Sequence, residues 1–135
     1  MRIFRLLILL MVLAPISAVS AEEMNMSSMP QAQKIPMPEA PLKTSFVCMM
    51  NNAYMGVEQI PVEVDGKTYY GCCEGCKTTL KINAQARTAT DPFSGKAVDK
   101  ASAFIAPMPN GGQKVLYFES KENYEGFLKT GKSNS

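Results

Sequence analysis

Histidine and tryptophan are both missing from the 135 residues. Without imidazole, the commonest metal ligand and the usual general base near neutral pH are gone, so histidine-based catalysis and Cys/His metal sites are excluded. A phosphate loop is missing too, since Gly111-Gly112 is not followed by Gly-Lys-Ser/Thr. Acidic side chains such as Asp91, Asp99, Glu119 and Glu122 are scattered over expected loops and helix ends, where solvation or capping accounts for them better than a hard-cation site. No hydrolase constellation is present. Whatever chemistry the chain performs must run on sulfur, supplied by four cysteines and ten methionines.

Long apolar runs are scarce as well. Leu6 to Leu13 is unbroken, but it falls short of the roughly 20 residues a spanning helix needs. Preceded by Arg2 and Arg5, and followed by Ala18-Val19-Ser20-Ala21, it reads as a cleavable export signal over residues 1–21. No cysteine follows at once, which argues against a lipid anchor, and the expected destination is a bacterial periplasm. Cleavage after Ala21 would take Arg2 and Arg5 from the 14 basic residues and balance the rest against the 12 acidic ones. A neutral chain offers no electrostatic case for nucleic acid or an anionic membrane.

Residues 22–41 show no hydrophobic period, and Pro30, Pro36, Pro38 and Pro41 oppose regular structure. A disordered arm is expected, and its unusual content is Met24, Met26, Met29 and Met37. Thioethers are soft ligands suited to Cu(I), so Met24, Met26 and Met29 are secondary metal candidates. A compositionally biased linker is the plainer alternative.

A single small domain is expected over residues 42–130, with a flexible tail at 131–135. In its first part, 42–88, Ile60, Val62 and Val64 alternate with Pro61 and Glu63 as a half-buried strand. Asp65-Gly66 is a hairpin turn, Lys67 to Gly71 the return strand, and Glu74 to about Arg87 a helix. Three of the four cysteines, Cys72, Cys73 and Cys76, fall where that strand meets that helix, and Cys48 stands alone upstream. A helix N-terminus favours thiolate, so this is the expected site.

The second part, 89–130, follows the same plan without cysteine. Asp91 to Lys96 reads as a loop, Ala103 to Ala106 as a strand, Asn110-Gly111 as a turn and Lys114 to Phe118 as the return strand. Ser120 is an N-cap for a helix presenting Tyr124, Phe127 and Leu128 on one face, and Gly131 ends it. An offset of about 45 residues pairs Cys48 with Ser94, Cys72 with Glu119 and Cys76 with Asn123. The expected fold is therefore α+β, two related ββα units of hairpin plus helix, with the aromatic side chains as core.

Cys48, then Tyr69-Tyr70-Gly71-Cys72-x-x-x-Cys76-Lys77, resembles the TRASH/YHS family of small metal-binding modules. Asp91-Pro92-x-Ser94-Gly95 and Leu116-Tyr117-Phe118-Glu119-Ser120 look like a second copy with its cysteines replaced. The resemblance covers about residues 44 to 129. It implies treble-clef-like units, a role in copper or heavy-metal sensing, trafficking or resistance, and ligands at Cys48, Cys72 and Cys76. The 23-residue gap between Cys48 and Cys72 is slightly long for the pattern, and Cys73 is an extra thiol, which leaves the ligand choice within the cluster open.

Soft thiolates without histidine, beside Met49-Met50 and a methionine-rich arm, favour Cu(I), with Zn(II) as the other candidate. Met49 is a secondary ligand candidate, although a core position suits it better. An exported chain also meets oxidising conditions, and four cysteines allow disulfides instead. Cys48 bonded to a cluster thiol would close a loop of about 25 residues and contribute about 3 kcal/mol. The expectation is thus a non-enzymatic metal carrier or buffer that exchanges its ion with a periplasmic exporter or acceptor. The alternatives are a thiol–disulfide oxidoreductase using Cys73 and Cys76, or a zinc- or disulfide-stapled interaction module.

Overall fold

The computed structural model of the chain describes residues 35–131. The export signal, Met24, Met26, Met29 and residues 132–135 lie outside them. Within them are four antiparallel two-stranded hairpins and two helices, a small α+β fold. Strands β1 (Val47–Cys48) and β2 (Ala53–Tyr54) pair first, then β3 (Ile60–Val64) with β4 (Lys67–Gly71), followed by helix α1 (Glu74–Ile82). Strands β5 (Thr88–Thr90) and β6 (Ala97–Asp99), then β7 (Phe104–Pro107) and β8 (Val115–Phe118), precede helix α2 (Lys121–Lys129). No described helix is long and apolar enough to cross a membrane.

The β3–β4 hairpin follows the sequence closely. Asp65 (φ 52°) and Gly66 (φ 74°) both adopt the left-handed conformation that a tight two-residue turn demands. That turn sets Val62 opposite Tyr69, both buried, while Pro61 and Glu63 stay exposed. Helix α1 stops at Ile82 rather than near Arg87. Asn83 leaves the helix with an extended backbone, and its side-chain oxygen accepts from the Gln85 N–H at 2.9 Å, a local turn that competes with another helical residue. The Arg87 guanidinium then folds back to donate to the carbonyls of Leu80 (2.7 Å) and Lys81 (3.1 Å), serving the helix end from outside it.

The short hairpins β1–β2 and β5–β6 were not expected, because two or three residues are too few to show a period. Leu128 also departs from expectation: Phe127 is buried, but Leu128 is half exposed. Residues 35–41 hold no helix or strand, as the prolines require, yet Ile35 and Met37 pack on the domain. Gly56 (φ 72°) lets Ile35 approach, since a Cβ there would lie 2.7 Å from the Ile35 side chain.

One of three core clusters spans both halves. Leu42, Val47 and Tyr54 pack with Val98, Ile105, Val115 and Tyr117 in one cluster. Met49, Val62, Tyr69 and Leu80 fill the space beneath β3, β4 and α1, while Ala106, Phe118 and Phe127 lie beneath α2. Backbone bonds tie the halves directly: Leu42 N–H to Ile105 O (2.9 Å), Tyr54 N–H to Gln113 O (2.8 Å) and Val115 N–H to Asn52 O (2.9 Å).

Asp91 is the main surprise among the acidic residues, for it is fully buried. Its carboxylate accepts from the N–H groups of Phe93 (2.7 Å), Ser94 (3.1 Å) and Glu119 (2.8 Å) and from Asn123 Nδ2 (2.7 Å). Burial alone would raise its pKa, but these donors outweigh it and hold it below the ordinary 3.8. A depressed carboxyl stabilises the fold fully above its unfolded pKa, and that share is lost as pH falls through the folded value. Asp91→Ala should therefore lower unfolding free energy in urea at pH 7 by about 3 kcal/mol, because four donors lose their acceptor. Asp91→Asn should flatten the loss of stability seen below about pH 4. Unchanged urea midpoints for both variants would show that the network carries no stability.

Candidate metal centre

Two segments far apart in sequence build the cysteine site. Strand β4 ends at Gly71, and Cys72 and Cys73 lead into α1. Cys73 is the N-cap: its backbone is extended (φ −155°, ψ 168°) and its sulfur accepts from the Cys76 N–H at 3.4 Å. Gly71 is needed here, since a Cβ would lie 2.8 Å from that of Cys76 and 3.3 Å from the helix backbone. Cys48, at the end of β1, arrives through the Met49 N–H, which donates to Tyr70 O at 2.9 Å.

The result is a sulfur triangle. The Sγ atoms of Cys48, Cys72 and Cys76 all lie within 4.8 Å of one another, with Cys72 and Cys76 3.6 Å apart. Three sulfurs bound about 2.3 Å from one ion would sit about 3.8–4.0 Å apart, so little motion separates this arrangement from a ligated one. Cys48 is buried, Cys76 half-buried and Cys72 exposed, so the triangle has a closed floor and an open mouth.

Cys73 is not part of that group. Consecutive side chains at a strand end diverge, and Cys73 instead places its sulfur 3.1 Å from that of Cys76 at the surface. Met49 is fully buried among Val62, Tyr69 and Leu80, where its thioether fills the core. Met24, Met26 and Met29 lie outside the described residues.

The protons are distributed unevenly over the four thiols. Burial pushes Cys48 up, but the N–H of Asn51, the Cys72 thiol and the N–H groups of Cys72 and Met50 more than offset it, and the net shift is downward. Cys72 goes up because its proton is shared with Cys48. Cys73 is lowered, first by the Cys76 thiol and then by the Cys76 N–H. Cys76 holds the proton it shares with Cys73 and, with burial added, is pushed up to about 12. The shifts thus bind the shared protons more tightly to Cys72 and Cys76 than to Cys48 and Cys73.

Two features around the site had little or no sequence signal. Asn51, in the turn after Cys48, approaches the Cys72 sulfur at 3.5 Å through Nδ2. Lys100 is 5% exposed, with its ammonium donating to Met49 O (2.7 Å) and Asn52 Oδ1 (2.9 Å). Burial lowers its pKa, and negative charge on Cys48 opposes that.

Comparison with protein-family models, characterised proteins and solved structures gave no match to this chain. The chemistry of the site must therefore be argued from its geometry. Three converging thiols, two of them at the open side, can hold one soft ion; the exposed Cys73–Cys76 pair can also undergo thiol–disulfide exchange.

A metal that takes Cys76 as thiolate must displace its proton, since neutral pH lies far below 12. Affinity should therefore rise with pH between 6 and 8, by roughly tenfold per unit for each proton displaced. Competition titrations at several pH values, with calorimetry in two buffers of different ionisation enthalpy, measure this. Binding that releases no proton would exclude Cys76 and Cys72 as ligands.

Proposed function

We propose that this chain is an exported soft-metal carrier that holds one ion, Cu(I) before Zn(II), between Cys48, Cys72 and Cys76. The observation that carries this reading is the convergence of three thiol sulfurs from two segments, within 4.8 Å, in a chain without histidine. A three-sulfur site suits Cu(I), whereas a structural zinc site wants a fourth ligand and a closed shell. The open side suits exchange, because an acceptor can take ligands one at a time without releasing a free ion. Cys73 serves there as spare ligand or exchange thiol, and the Met24, Met26 and Met29 arm widens capture.

The TRASH/YHS resemblance supports this reading on two counts. A short Cys-bearing hairpin, a second hairpin and a helix N-terminus carrying the remaining cysteines follow the order of a treble clef. The same order of elements recurs from Thr88 to Lys129. Read as a copy of the first half, it sets Asp91 rather than Ser94 against Cys48. Cys48 pairs with Ala53 across residues 49–52, and Asp91 donates its N–H to Lys96 O across residues 92–95. Glu119, Ser120 and Asn123 then match Cys72, Cys73 and Cys76. On this reading the protein is not an enzyme; it acts in the periplasm and hands metal to an exporter or another acceptor.

The 3.1 Å approach of Cys73 to Cys76 favours one rival, a thiol–disulfide oxidoreductase. An exposed low-pKa thiol beside a protonated partner at a helix N-terminus is the arrangement such chemistry uses. Competition titration against a Cu(I) chelator separates the two readings. Cys76→Ser should weaken Cu(I) binding by roughly 100-fold, while Cys73→Ser should leave affinity within about threefold and slow transfer to an acceptor. Cu(I) binding by Cys76→Ser equal to that of the wild type would sink the carrier reading. A rapid disulfide exchange lost in both variants, without tight metal binding in the wild type, would put the oxidoreductase first.

A further inference from the structure

Three carbonyls of the turn that presents Cys48 are held from the other half of the molecule. They point away from the sulfur: Met49 O accepts from Lys100 Nζ (2.7 Å), Asn51 O from Lys114 Nζ (3.2 Å) and Asn52 O from the Val115 N–H (2.9 Å). Asn52, in the left-handed conformation (φ 49°), also gives its side-chain oxygen to Lys100 (2.9 Å). With the Met49 carbonyl drawn outward, the Met50 N–H at the other end of that peptide faces the Cys48 sulfur, beside the Asn51 N–H.

Lys100 is unusual in its surroundings. It is buried, it faces the Tyr117 ring at 5.4 Å, and it forms no ion pair with a carboxylate among the described residues. Burying an ammonium without a countercharge costs stability, and an apolar side chain of similar size would avoid that cost. The expense is accounted for if the missing countercharge is the metal centre. Three thiolates around Cu(I) carry a net charge of −2, and around a divalent ion −1.

We propose that Lys100, seconded by Lys114, is a positioning residue of the Cys48–Cys72–Cys76 centre, its ammonium fixing the Met49–Asn52 turn and opposing the negative charge that the thiolates gather there. The proposal rests on the metal-carrier reading and gives the cysteine-free half a part in it. That half supplies the cation and the rigid frame, while the first half supplies the ligands. The ammonium also polarises the Met49–Met50 peptide group, whose N–H end faces Cys48, so its influence reaches the sulfur without contact.

The test compares the full chain with Lys100→Gln, which keeps a donor but loses the charge, and Lys100→Arg, which keeps the charge. Cu(I) affinity, melting of the metal-free protein and the thiolate-to-metal charge-transfer band of the Cd(II)-loaded protein are read for each. Lys100→Gln should bind Cu(I) about tenfold more weakly, the size expected for unit charges about 12 Å apart at an effective dielectric near 20. Its Cd(II) band should move to lower energy, because a thiolate relieved of a nearby cation gives up its electrons more readily. Lys100→Arg should stay within about threefold of wild type, with the band unmoved.

If Lys100→Gln does not fold, Lys114→Gln at the surface carries the test, with a loss of about twofold that vanishes near 1 M salt. A wild type that binds Cu(I) tightly while Lys100→Gln matches it in affinity and band energy would overturn the proposal. Equal weakening of the Gln and Arg variants, with melting lowered in both and the band fixed, would reduce Lys100 to a structural prop. Failure of the wild type to bind Cu(I) or Cd(II) at all would instead strike at the carrier reading itself.

Discussion

The four-residue turn Met49–Asn52 is the constraint on which the rest of the site depends. A peptide group cannot aim both ends at one sulfur. For the Met50 N–H to face Cys48, the Met49 carbonyl of the same peptide group needs a partner elsewhere, and Lys100 provides it, while Lys114 and Val115 hold the later carbonyls of the turn, Asn51 O and Asn52 O. The Met49 N–H meanwhile binds Tyr70 O and draws Cys48 to the end of β4, where Cys72 begins. The sulfur triangle is thus a by-product of where one short turn sends its backbone hydrogen bonds. This explains why a site made of first-half cysteines needs second-half residues.

The two halves close the same junction by different chemistry. In the second, a buried carboxylate collects donors from its own turn, from the strand end at Glu119 and from Asn123 in the first turn of α2. In the first, thiols occupy the matching places and share protons instead. The carboxylate knot is complete without an ion, and one core cluster spans both halves. A frame of that kind can stay folded while an ion enters or leaves, which a carrier requires and a zinc-dependent finger does not permit.

How much of this was legible in the sequence varied with the length of the signal. The β3–β4 hairpin was readable because Asp65-Gly66 fixes the register and Ile60, Val62 and Val64 declare the face. Ser120 was readable as a cap because its hydroxyl does accept from the Asn123 N–H, at 3.2 Å. The cysteines stood out by density, but the choice between Cys72 and Cys73 stayed open until the structure brought Cys72 together with Cys48 and Cys76. The hairpins β1–β2 and β5–β6 were illegible, since two or three residues show no period. So were the buried Asp91 and Lys100, because burial of a charge is decided by partners 28 to 51 residues away. The end of α1 was misjudged for a local reason: Asn83 prefers its own turn to one more helical residue.

The most direct measurement is X-ray absorption at the metal edge of the chain loaded with one equivalent of Cu(I), counting the scatterers around the ion. The account predicts three sulfur neighbours and no nitrogen or oxygen, with one sulfur lost in Cys48→Ser although that residue lies 24 positions from Cys72 in sequence. Two sulfurs that persist unchanged in Cys48→Ser would contradict it, placing the ion on the surface cysteines alone and leaving the buried turn without a role in metal binding.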